Sequence, residues 1–133
     1  MSDLIVNFIE DHKIILDALN SSKALKINTP QGRKELEKAR NTLLNHLKQE
    51  DELMYPELFR EAGRNENLKT ILDIFAREMD EITGFAVDFF NKAASGADNL
   101  DYMKKFGRLT ALLKDRMRKE ETLLYKEYEK IMK

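Results

Sequence analysis

The stretch His46-Leu-Lys-Gln-Glu50-Asp-Glu-Leu-Met-Tyr55-Pro56 decides how this chain is read, because it sets a histidine and a carboxylate four residues apart in a segment of helical character. On an α-helix side chains four apart share a face. Stepping outward from His46 by threes and fours gives Leu36, Ala39, Leu43, His46, Glu50 and Leu53, so the two polar residues fall on the stripe that faces the core. Without partners, a carboxylate in that position costs several kcal/mol to desolvate, and a bound metal ion is one common remedy. Pro56 cannot donate a backbone hydrogen bond to the carbonyl four residues back, which predicts a kink or bulge near Glu52, just beyond this pair.

The surrounding sequence reads as four helices. The first runs from an N-cap at Ser2 to about Leu25, with Ile5, Phe8, His12, Ile15 and Leu19 as its apolar seam. Thr29 and Pro30 suit the N-cap and first position of the second, which continues to Gly63. The third extends from about Asn65 to Ser95-Gly96 with the seam Leu68, Leu72, Phe75, Met79, Ile82, Ala86 and Phe89. After the turn-forming stretch Ser95-Gly96-Ala97-Asp98-Asn99, the fourth runs from about Leu100 along Tyr102, Phe106, Leu109, Leu113, Arg116, Glu120 and Leu123. Short connections between long amphipathic helices make neighbours antiparallel. The expectation is therefore an all-α, up-down-up-down four-helix bundle in which residues 1–133 form one domain.

Composition narrows the function. Lysine and arginine number 23 against 24 acids, for a net charge of −1, so there is no basic footprint for nucleic acid or an anionic membrane. No apolar run approaches the roughly 20 residues of a membrane span, and Met1-Ser2-Asp3 does not open a signal peptide, which predicts a cytoplasmic protein. With no cysteine, any metal must be held by nitrogen and oxygen.

The second and fourth helices repeat one another. His46-x3-Glu50-Asp51-x3-Tyr55 aligns with Arg116-x3-Glu120-Glu121-x3-Tyr125, placing Arg116 where His46 stands and Glu120 where Glu50 stands. By phase, His12, His46, Glu50, Met79, Arg116 and Glu120 meet in the central layers of the bundle. Met79 reads as core packing, methionine being a good filler of irregular space, rather than as a thioether ligand to a metal or haem. The seam selects Glu120 over Glu121 and leaves the latter solvated, although a helix irregularity would exchange them. Tyr55 and Tyr125 read as packing residues at the bundle ends, with donors to the site as the alternative. Arg116 cannot ligate a metal, but its guanidinium can donate to two carboxylates at once; the competing reading lets its head reach solvent.

Through Asp11-His12, His46-x3-Glu50 followed by Leu53-Met54-Tyr55-Pro56, and Glu120-Glu121-x-Leu123-Leu124-Tyr125, the chain resembles the hemerythrin-like (HHE cation-binding) family over essentially its whole length. The resemblance implies a four-helix bundle holding a non-haem di-iron centre used to bind oxygen, to sense oxygen or nitric oxide, or to handle or repair iron. It assigns one iron to His12 and His46 and bridging carboxylates to Glu50 and Glu120, or its neighbour Glu121. The family's histidines for the other iron fall here on Met79, sometimes also Phe75, and on Arg116.

The expected function is a metal-binding protein with His12, His46, Glu50 and Glu120 around one non-haem iron ion rather than two, open to a small ligand. The alternative is a metal-free interaction or structural module in which Arg116 replaces the metal's charge. No nucleophile–base pair or phosphate loop supports an enzyme, an oxidase built on the same residues being the only such reading. The sequence names no protein partner.

Overall fold

The computed structural model describes residues 2–94 and 100–132, without the side chains of 93 and 94; the expected turn Ser95–Asn99 lies outside the described residues. All the described regular structure is helical. α1 spans Asp3–Ala24, α2 Pro30–Gln49, α3 Tyr55–Ala62, α4 Glu66–Ala94, α5 Leu100–Lys119 and α6 Tyr125–Ile131. A π-helical turn at Glu50–Met54 joins α2 to α3, and another at Glu120–Leu124 joins α5 to α6, so the six segments make four long rods packed as a helical bundle. Among the described residues no helix is long and apolar enough to cross a membrane.

Local chemistry sets the rod ends. Ser2 caps α1 by accepting from the Ile5 amide at 3.3 Å. Thr29 caps α2 by accepting from the Gly32 amide at 3.0 Å, with Pro30 in the first turn. Lys26 turns the chain between them with a φ of 70°, and a Cβ on Gly32 would collide with the Lys26 carbonyl oxygen. Asn65 accepts from the Leu68 amide at 3.1 Å at the head of α4.

The core falls into two apolar clusters. One gathers Ile15, Leu19, Leu36, Leu43, Ile82, Phe89, Tyr102, Phe106 and Leu113. The other gathers Ile5, Phe8, Met54, Leu58, Leu72, Phe75, Leu124 and Tyr125. In chain order, buried His12, His46, Glu50, Arg116 and Glu120 each lie between a residue of one cluster and a residue of the other, so a polar layer divides the core. Met79 lies at the same level but is only half-buried.

The two π turns change which leucines face inward. A continuous 3.6-residue seam selects Leu53 and Leu123, yet these are 51 % and 48 % exposed, while Met54 and Leu124 are fully buried. In each turn the amide of the tyrosine, Tyr55 or Tyr125, donates five residues back to Glu50 or Glu120. One residue is thereby inserted into the helical count, and everything after it rotates by about one position. The Pro56 bulge is present and begins at Glu50 itself. Its counterpart has lysine at the equivalent position 126, so a proline is not required for such a turn. Both turns bring the carboxylate and the residues four and five beyond it toward the interior, a grouping that a regular helix splits between faces.

The shifted register is open to direct measurement. Met54→Ala and Leu124→Ala should each cost about 2–5 kcal/mol in denaturant unfolding, the range for emptying a packed core position. Leu53→Ala and Leu123→Ala should stay within about 0.5 kcal/mol. Equal losses at the neighbouring positions would show that the seams run through without the extra residue.

Candidate metal centre

Each rod except that of α4 contributes ionisable side chains to the polar layer. α1 supplies Asp11 and His12, α2 supplies His46, the first π turn Glu50, α5 Arg116, and the second π turn Glu120 and Glu121. α4 contributes the Phe75 ring and carbonyl. His12, His46, Glu50 and Glu120, the four expected ligands, are brought together and are at most 3 % exposed.

The two imidazoles are held by the same device. His12 Nδ1 lies 2.7 Å from Glu121 Oε2, and His46 Nδ1 lies 3.0 Å from Asp11 Oδ2. A carboxylate on Nδ1 fixes the proton there and turns the Nε2 lone pair the other way, toward the interior. Inside, His12 Nε2 is 3.2 Å from Glu120 Oε1, and His46 Nε2 is 3.3 Å from Glu50 Oε2. Phe8 packs edge-on to His46 with ring centroids 5.0 Å apart, and the Tyr125 ring stacks on His12 at 5.7 Å. Glu121 is therefore no idle surface acid; it orients a histidine, while Glu120 is the residue inside.

This donor set fits a cation. With Nδ1 carrying the hydrogen, each Nε2–carboxylate contact sets two acceptors face to face, and either a proton or a positive ion must lie between them. Bonds of about 2.0–2.2 Å from nitrogen and oxygen to a first-row metal place neighbouring donors roughly 3.0–3.5 Å apart, the range of the contacts observed. His12, His46 and Glu120 each offer a ligand atom within 4.8 Å of the others, with Glu50 in contact with His46. Glu120 Oε2 is buried without a hydrogen-bond partner.

Without a metal the site must hold protons. Burial pushes the His46 imidazole toward its neutral form, but the hydrogen bond and charge of Glu50, with help from Glu120 and Asp11, overcome this and raise its pKa to about 9. Burial, followed by the adjacent Glu50 charge, pushes the Glu120 carboxyl up to about 7. Burial acts on Glu50 in the same direction, yet its bonds and Coulomb attraction to His46 and the hydrogen bonds from Glu120 and Tyr125 carry it below the usual carboxylate range.

Arg116 points inward. It donates from Nη1 to the Phe75 carbonyl at 3.0 Å and from Nη2 to the Tyr55 hydroxyl at 3.1 Å, with Cζ 4.3 Å from the Phe75 ring centroid. Its Nε stands 3.7 Å from Glu120 Oε2, an ion pair without a hydrogen bond on either atom. Of the two carboxylates expected beside it, Glu120 is the one paired. The Tyr125 hydroxyl lies among the ligand atoms, donating to Glu50 Oε2 at 2.8 Å. Tyr55 and Tyr125 thus join the site through their hydroxyls as well as through packing.

Between the α2–α3 rod and α4 an open groove of about 1070 Å³ reaches this layer, lined among others by Leu47, Glu50, Tyr55, Phe59 and Met79. The groove thus meets the polar layer at Glu50.

These features define a helical-bundle protein with a buried histidine–carboxylate group that could hold a cation. The chain belongs to the hemerythrin HHE cation-binding domain family, whose model matches residues 3–128. Comparison with curated proteins and with solved structures gives no match.

Two consequences can be measured on metal-free protein. Arg116→Ala leaves Glu120 without its cation and should cost about 3–5 kcal/mol, the loss shrinking when Glu120→Gln is also present; a loss below about 1 kcal/mol would mean the pair is unimportant. The second consequence concerns pH. Because the folded state raises His46 from 6.5 to about 9 and Glu120 from 4.5 to about 7, it binds these protons more tightly than the unfolded chain does. The stabilisation from His46 is complete below pH 6.5 and is lost as pH rises through about 9, and stability associated with Glu120 declines from about 4.5 to about 7. Thermal melts in EDTA should therefore give a higher midpoint at pH 6 than at pH 9, and a flat or rising profile would contradict this charge assignment.

Proposed function

We propose that the protein is a hemerythrin-like metal-binding protein that holds one non-haem iron ion through His12, His46, Glu50 and Glu120. One observation carries the reading: two buried imidazoles, each anchored at Nδ1 by its own carboxylate, turn Nε2 toward two further buried carboxylates. A histidine–carboxylate set of this kind suits Fe(II) and admits Zn(II) or Mn(II). A bound iron ion would supply an open coordination position for dioxygen or nitric oxide.

The protein's own residues do the rest. Asp11 and Glu121 keep the imidazoles in the ligating tautomer, the apolar clusters on either side exclude water, and the groove that Glu50 lines would admit a small ligand. Arg116 supports one ion rather than two. Its fixed charge lies against Phe75, Tyr55 and Glu120, in the part of the site where the family resemblance would put the second iron. Short connections at residues 25–29 and 63–65 support an antiparallel up-down-up-down order, with residues 1–133 as one domain. We take the protein to be cytoplasmic and a binder or sensor rather than an enzyme.

The second reading, a metal-free module, is favoured by the same arginine, which supplies Glu120 with a positive charge. Elemental analysis separates the two. Protein reconstituted anaerobically with Fe(II) should carry one iron per chain and His46→Ala none, while Asp11→Asn and Glu121→Gln should each weaken binding about 10–100-fold. Two irons per chain would overturn the single-ion site, and none would leave the metal-free module.

A further inference from the structure

We propose that Tyr125 is itself a metal ligand, its phenolate joining His12, His46 and the carboxylates and adapting the site to ferric iron; this rests on the metal reading above. The Tyr125 oxygen lies 2.8 Å from Glu50 Oε2, 3.1 Å from His12 Nε2 and 3.4 Å from His46 Nε2. Those separations match the ones that the histidines make with Glu50 and Glu120. All five groups therefore crowd around one small volume.

The directions of the ring nitrogens argue the same way. A phenol has one hydrogen, and it goes to Glu50. The two Nε2 atoms beside the oxygen belong to rings whose Nδ1 positions face Glu121 and Asp11, where the ring hydrogens are held. The Tyr125 oxygen thus stands beside both interior ring nitrogens and a carboxylate oxygen, within reach of any ion that they hold.

The placement follows from the fold. Glu120 and Tyr125 are five residues apart and diverge on a regular helix, but the π turn between them brings both inside. The tyrosine ring is then held against Phe8 and His12. Its counterpart in the internal repeat, Tyr55, instead receives a hydrogen bond from Arg116. The two repeats thus use the same residue differently, one hydroxyl at the ligand atoms and the other on the arginine.

On ligation the phenolic O–H bond breaks and an oxygen–iron bond forms. The proton passes to Glu50 along the hydrogen bond already in place and leaves through the groove that Glu50 lines. A phenolate is a hard anionic oxygen donor, and its added negative charge matches a trivalent ion better than a divalent one.

The test uses full-length protein loaded with ferric iron, its iron content measured, and read by visible absorption and resonance Raman spectroscopy. The wild type should show a phenolate-to-iron charge-transfer band and enhanced tyrosinate modes. Tyr125→Phe should keep bound iron but lose both signals, and Tyr102→Phe, whose ring stacks on Phe89 in the other apolar cluster, should keep both. If Tyr125→Phe does not fold, wild type labelled with ring-deuterated tyrosine carries the test: shifted modes that survive Tyr55→Phe support Tyr125. Iron-loaded wild type without tyrosinate modes, or modes that persist in Tyr125→Phe, would overturn the assignment and leave the metal site standing. A wild type that takes up no iron would overturn both.

Discussion

Two carboxylates buried between apolar clusters set the terms for this structure. Glu50 and Glu120 are at most 3 % exposed, and removing an ionised carboxylate from water costs several kcal/mol even after the protein relaxes. The fold must return that energy in positive charge and hydrogen bonds. His46 answers Glu50, His12 and Arg116 answer Glu120, and Tyr125 donates to Glu50. Even so, Glu120 Oε2 and Arg116 Nε face each other without a hydrogen bond. Protonation of His46 and Glu120 can balance the layer, and so can a metal ion that displaces those protons. The same residues thus serve stability in one state and would serve ligation in the other.

The π turns make this crowding possible. A π turn is less regular than the α-helix around it and occurs often at functional sites. Here each one lets the residue five beyond its carboxylate turn inward along with the residue four beyond, and in the second turn that residue is Tyr125. The cost of irregular hydrogen bonding is offset by two fully buried apolar side chains, Met54 and Leu124, and by the bonds that Tyr125 makes.

Much of this was legible in the sequence. The caps at Ser2 and Thr29, the rod boundaries and the apolar seams follow from side-chain chemistry and helical periodicity, and the same counting brings His12, His46, Glu50 and Glu120 into one layer. Periodicity misleads at Leu53 and Leu123, because a fixed 3.6-residue count cannot register an inserted residue. Pro56 signals the first insertion. Nothing local signals the second; the repeat of helix two in helix four was the available clue, since matching motifs carry matching backbones. Asp11 and Glu121 were harder to read because they lie beside the seam, where an acid usually means a solvated face. Their role emerges only when neighbouring rods place them opposite histidine nitrogens. The extended reach of Tyr125 into the ligand cluster depends on that same second insertion.

A single ion is proposed because Arg116 supplies the other positive charge. X-ray absorption at the iron edge, on protein loaded to saturation, examines this most directly because it sees the neighbours of the metal. The account predicts a shell of nitrogen and oxygen donors with imidazole scattering and no iron neighbour. A metal–metal vector in the two-metal range of about 3.5–4 Å, or a spectrum without imidazole scattering, would contradict it.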